Sequence, residues 1–131
     1  MTANEESTIL TFKNAKLLMD TFIPEQFIDS DIFNTTDGNC WQAYFYPQGT
    51  ISPEGQARTT AGLYISLVDG NGGIFGLTMS INGYERSSET NPDQFYKDRT
   101  IGFYNLVPCD ELRFCITPDD SFVVNVTMSK K

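Results

Sequence analysis

Four stretches of the chain alternate between apolar and polar residues. In residues 40–46, CWQAYFY, Trp41, Ala43 and Phe45 fall on one side of an extended segment and Gln42, Tyr44 and Tyr46 on the other. Residues 61–68 repeat the arrangement, with Ala61, Leu63, Ile65 and Leu67 together and Gly62, Tyr64 and Ser66 behind them. Phe75, Leu77, Met79 and Ile81 alternate with Gly76, Thr78 and Ser80, and Phe122, Val124, Val126 and Met128 with Val123, Asn125 and Thr127. A period of two predicts strands with one buried face. Between the second and third runs, DGNGG at residues 69–73 predicts the tight turn of a hairpin. Pro47 and Gly49 end the first run, and Pro118-Asp119-Asp120 prefaces the last.

Residues 7–12, the segment around Ile32-Phe33 and residues 100–106 are apolar and rich in β-branched or aromatic side chains, which brings the expected total to seven or eight strands. Residues 15–20 and 110–114 predict helical turns too short to form a layer. Residues 48–60 and 86–97 read as polar loops and residues 1–6 as a disordered tail. Parallel sheets need long crossover helices, and this pattern provides none. The expectation is therefore an all-β fold, an antiparallel β-sandwich of seven to eight strands, as a single domain over residues 1–131.

Composition narrows the function. The chain is 40% hydrophobic and 20% charged, a globular balance rather than that of a disordered chain. With Lys+Arg 9 against Asp+Glu 17 the net charge is -8, which repels phosphate, so neither nucleic acid nor an anionic membrane is an expected partner. No apolar run reaches the roughly 20 residues of a membrane-spanning helix. Histidine is absent, which removes the usual neutral-pH general base and the commonest metal ligand. Asp119-Asp120 reads as turn chemistry, since neighbours on an extended chain point apart. Cys109 and Cys115 have no further ligands with which to complete a zinc site. The expectation is a non-enzyme with no cofactor and no metal. Three cysteines, Cys40, Cys109 and Cys115, after an N-terminus that reads MTANEES rather than a secretory signal, predict reduced thiols in the cytoplasm or nucleus. The six tyrosines, Tyr44, Tyr46, Tyr64, Tyr84, Tyr96 and Tyr104, fall mostly opposite the apolar stripes or in loops, where amphipathic rings serve recognition.

Several blocks resemble the MATH (meprin and TRAF homology) family: Ser30-Asp31-Ile32-Phe33, the run from Gly38 to Gly49 with its W-x-x-x-x-Y-P-x-G spacing, Gly62-Leu63-Tyr64-Ile65-Ser66-Leu67, and Pro118-Asp119-Asp120-Ser121-Phe122. Thr11-Phe12-Lys13-Asn14 is similar to the family's opening strand, and Ile101-Gly102-Phe103 stands where many members carry Trp-Gly-Phe. The resemblance implies a TRAF-like sandwich that binds short linear motifs of protein or peptide partners by pairing with an exposed strand edge. It also implies a substrate-adaptor role in a ubiquitin pathway or in TRAF-like signalling. Carried across from the speckle-type adaptors, the peptide-binding residues become Arg99, Thr100, Ile101, Gly102 and Phe103, flanked by Thr60, Leu77, Asp93 and Phe95. Thr60, Asp93 and Ile101 replace family aromatics. Two alternatives stand beside this: a self-assembling TRAF-like domain, a homo-oligomer joined through the tyrosine-rich face, and a sandwich that stacks a carbohydrate on those tyrosines.

Overall fold

The computed structural model describes residues 5–131. Ten strands run in the order β1 (Glu5–Lys13), β2 (Ile28–Asp29), β3 (Phe33–Asn34), β4 (Cys40–Tyr46), β5 (Thr60–Asp69), β6 (Gly73–Ile81), β7 (Tyr84–Ser87), β8 (Asp93–Phe95), β9 (Thr100–Pro108) and β10 (Ser121–Lys130). A short helix α1 (Ala15–Thr21) follows β1, and a 3-10 segment (Cys109–Cys115) follows β9. The strands make two antiparallel five-stranded sheets. The first has the order β1-β10-β6-β7 with β8 also on β6, and the second β2-β4-β5-β9 with β3 also on β4. This is an all-β sandwich.

The alternating stripes become its inner layer. Trp41, Ala43 and Phe45 on β4, Leu63, Ile65 and Leu67 on β5, Leu77 and Met79 on β6 and Phe122 and Val124 on β10 are all fully buried. Phe45 joins the sheets by packing against Phe12 at 5.4 Å and Phe122 at 5.3 Å between ring centroids. Trp41 sits edge-on to Phe75 and Phe95 at 5.6 and 5.1 Å, with its indole N–H donating to Thr35 Oγ1 at 3.0 Å. That bond satisfies the one polar atom that the indole carries into the core. Of the two short helical segments, α1 buries Ala15 and Leu18 and the 3-10 segment buries Leu112 and Cys115. Asp120 ties α1 to the start of β10, because its carbonyl accepts from Ala15 N–H and its carboxylate from Lys16 N–H, both at 3.0 Å.

Several expectations are corrected. Residues 69–73 do not close a hairpin, since β5 lies in the second sheet and β6 in the first. Positive φ at Gly70 (115°), Gly72 (72°) and Gly73 (145°) turns the chain out of the sheet plane. Asn39 then fixes the corner by accepting from Gly72 N–H at 2.9 Å. Alternation reveals which face of a strand is buried, and it is silent about which strand lies alongside. Among the described residues the strand count is ten rather than seven or eight, because β2, β7 and β8 are too short to display a period. Residues 86–97, expected as a loop, contribute the end of β7 and all of β8. Of the expected tail, Glu5 and Glu6 belong to β1, paired with Ser129 and Met128, and residues 1–4 lie outside the described residues. Among the described residues no helix is long and apolar enough to cross a membrane.

Candidate functional site

β9 is the outermost strand of the second sheet, with β5 on one side and no described strand on the other. Tyr64 pairs with Gly102 and Ile65 with Ile101, and a bulge between Ala61 and Leu63 shifts the register beyond them. Glycine at 102 is a packing requirement: a Cβ there would lie 2.2 Å from Leu63 O and 2.5 Å from Tyr64 Cα. Ile101 and Phe103 turn inward and pack, half-buried, on the core, while Thr100 and Tyr104 are exposed. An edge strand presents unpaired backbone N–H and C=O groups along its free side. The far end of this edge is clamped to the other sheet by Arg86 of β7, whose Nε–H donates to Asn105 O at 3.0 Å. The chain's own C-terminal segment does not occupy the edge, since Lys131 N–H bonds Ile74 O beside the first sheet.

The residues singled out from the sequence divide into two sets. Thr100, Ile101, Gly102 and Phe103 are consecutive on β9, and Arg99 precedes them, donating to Gln94 O at 2.6 Å. Thr60 opens β5 and donates its hydroxyl to Tyr104 O at 2.7 Å, so it belongs with the edge. Asp93 opens β8, half-buried, opposite Phe75. Leu77 and Phe95 are corrected: they are core residues, 0% and 1% exposed, and Phe95 is one of the rings that Trp41 packs against. Neither has surface to offer a ligand. Sequence reasoning missed Arg58, Arg86 and Asn105 at the far end of the edge. Arg58 carried a signal, as the only cation in residues 48–60.

The outer face of the second sheet is aromatic. Phe27 contacts Tyr44 and Tyr46 at 5.5 and 5.3 Å, and Tyr46 contacts Tyr64 at 5.4 Å. Tyr44 and Tyr64 are direct cross-strand partners. Burial, reinforced by Tyr64, Glu25 and Tyr44, raises the pKa of Tyr46. Tyr104 extends the face onto β9, where the Arg58 guanidinium carbon lies 3.9 Å from its ring centroid. Tyr84 and Tyr96 lie elsewhere. Tyr84 donates to Glu111 Oε1 at 2.5 Å, and that bond, with burial and the carboxylate's charge, pushes its pKa up to about 12.

The groups that the sequence offered for chemistry have structural partners. Asp119 accepts from the Thr117 hydroxyl, and Asp120 caps α1. Cys109 donates to Pro47 O at 3.7 Å, and burial, helped by Asp110, pushes its thiol pKa up. Burial does the same to Cys115, beyond what a hydrogen bond from Asn82 restores. Raised thiol pKa values disfavour the thiolate that nucleophilic chemistry needs. The arrangement can pair a backbone and stack a side chain. No protein-family model matches the chain, and neither does any curated protein.

Proposed function

We infer that this chain is a non-catalytic recognition module of the MATH, TRAF-like kind, and that it binds short linear motifs by adding their backbone to β9. The free side of β9 carries this reading. Backbone pairing supplies affinity without depending on side-chain identity, so it tolerates the replacement of family aromatics by Thr60 and Ile101. The half-buried Ile101 and Phe103 give the rim an apolar base, and the exposed Thr100 and Tyr104 give it polar ends. Such a module serves a larger machine as its substrate-selecting part, in a ubiquitin ligase, a deubiquitinase or a receptor complex of the cytoplasm or nucleus. Titrating the 15N-labelled protein with a diverse Ser/Thr-rich peptide library tests it. Amide shifts concentrated at residues 99–103 are expected, and flat shifts there across the library would remove the assignment.

A second reading rests on the Phe27, Tyr44, Tyr46 and Tyr64 cluster, in which Phe27 remains 47% exposed. An aromatic face of this kind suits a copy of the same chain. Mass measured across a dilution series distinguishes the two, because self-association predicts a dimer or trimer that dissociates on dilution.

A further inference from the structure

β1 is the outermost strand of the first sheet, with β10 on one side and no described strand on the other. Soluble proteins blunt such an edge with short strands, bulges, prolines or charges set along it. The other edges of this sandwich carry those devices. β2 and β3 are two residues long, β8 three and β7 four, and the pairing of β9 is interrupted by the bulge between Ala61 and Leu63. The middle of β1 carries none of them. The strand runs for nine residues, pairs with β10 without a register shift, and between Ser7 and Phe12 holds no proline and no charge. Thr8, Ile9 and Thr11 are β-branched, and Ile9, at the centre, is 70% exposed. A long, β-prone edge without central charge is a template for one more strand.

The residues of β1 specify which strand fits. Glu5, Ser7, Ile9, Thr11 and Lys13 are the exposed members of the alternation and share one face. Turned antiparallel about Ile9, this row meets its own copy as Glu5 against Lys13, Ser7 against Thr11 and Ile9 against Ile9. Acid faces base at both ends, hydroxyl faces hydroxyl, and the apolar residue lies on the axis. The same kind of hydroxyl pair already joins β1 to β10, where Ser7 Oγ and Thr127 Oγ1 lie 2.8 Å apart. Neither Glu5 nor Lys13 is engaged in an ion pair among the described residues, where the one such pair is Lys131 with Glu89. A slip of two residues in either direction separates both charge pairs, so charge and pattern select a single register.

We propose that two copies of this chain pair through β1 about a twofold axis at Ile9, joining their first sheets into one continuous layer. A contact of this symmetry uses every side-chain pair twice. The free backbone groups of the two strands add about one hydrogen bond per residue pair. Two copies at a net charge of -8 repel each other. In about 0.15 M salt that repulsion is screened beyond roughly 8 Å, whereas cross-strand partners stand roughly 5 Å apart. The contact uses neither β9 nor the tyrosine face of the second sheet, so it stands independently of both readings above.

Sedimentation velocity of the native chain over a dilution series in about 0.15 M salt is expected to show a monomer–dimer equilibrium. Hydrogen exchange at alternate amides of residues 5–13 should slow as the dimer fills. Mass alone does not assign the surface, and substitutions at exposed positions of β1 do. Glu5→Lys and Lys13→Glu each set like charges opposite one another at both ends, and each should weaken dimerisation at least about tenfold. Mixing these two variants should restore it, because their charges are complementary only across an antiparallel β1 contact. Ile9→Lys sets like charges together on the axis and should leave a monomer. Unchanged far-UV circular dichroism confirms that the variants fold. A native chain that stays monomeric up to about 1 mM overturns the proposal. So does a dimer that withstands both charge variants, or a mixture of the two that stays monomeric. A dimer lost in Phe27→Ser but not in Ile9→Lys belongs to the aromatic face and overturns it as well.

Discussion

The hydroxyl of Thr35 accepts from the Trp41 indole at 3.0 Å and donates to Asp37 Oδ1 at 2.5 Å, so one buried side chain joins the core to a surface carboxylate. Thr35→Val keeps the shape and removes both bonds. The indole N–H is then buried with no acceptor, which costs roughly 1–3 kcal/mol. With a urea dependence of about 2 kcal/mol/M, the unfolding midpoint should fall by about 0.5–1.5 M. Trp41→Phe deletes the N–H itself, so Thr35→Val in that background should cost at least ~1 kcal/mol less than in the native protein. Trp41→Ala, at ~3–5 kcal/mol, removes so much of a ~5–15 kcal/mol total that the domain is expected to be largely unfolded. Circular dichroism is the assay, because Trp41 is the only tryptophan and its fluorescence is lost in every variant that replaces it.

Acid supplies a second readout of the same hydroxyl. Burial by itself raises the Asp37 pKa, but hydrogen bonds from Thr35 and Asn39 outweigh it and leave the pKa below the ordinary value. A depressed carboxyl stabilises the fold above its unfolded pKa, and that stability is lost as pH falls through the folded value. Thr35→Val should therefore flatten the acid limb below about pH 4. A midpoint shift under about 0.3 M, or strictly additive costs in the Thr35/Trp41 cycle, would refute the reasoning.

Tyr84 reports at the other end of the pH scale. Its pKa near 12 lies above the unfolded 10, so the native state holds the proton longer, and the associated stability is complete below pH 10 and lost as pH rises toward 12. Tyr84→Phe should remove that alkaline loss in thermal melts. Gly72→Ala places a Cβ 2.1 Å from Phe95 O at a φ of +72° and should cost at least ~2 kcal/mol, whereas Gly55→Ala, at φ +83° with open space around it, should cost only about 1 kcal/mol. Urea titration of the pair separates the clash from the backbone strain. Iodoacetamide labelling followed by mass spectrometry should find Cys109 and Cys115 at least about tenfold slower in the native protein than in urea at pH 8, and faster as pH rises.

The two-layer fold was legible because Trp41, Ile65, Met79 and Val124 each lie within strands long enough to repeat a period of two. The corner at residues 69–73 was not, since a glycine-rich turn looks the same whether it returns along one sheet or crosses to the other. The Asn39 side chain, 33 residues from Gly72, braces the crossing by a contact that the turn's own residues do not reveal. At the candidate site, sequence placed Thr100, Ile101, Gly102 and Phe103 together because they are contiguous. It failed for Leu77, whose place on an alternating stripe already marked it as interior, and for Phe95, which stood in a stretch read as a polar loop. Arg58 escaped notice because what sets it apart, its seat on the Tyr104 ring, is a contact between distant parts of the chain.

Among the described strands of the first sheet, an interior one is synthesised after the others. β10 lies between β1 and β6 and is the only described partner of β1. At ~5–20 residues per second, translation leaves Leu10 and Phe12 waiting on the order of ten seconds before Phe122 and Val124 emerge from the ribosome to cover them. During that interval β1 has no strand partner among the described residues. A premature stop codon ahead of β10 would therefore delete the strand that joins β1 to the rest of its layer.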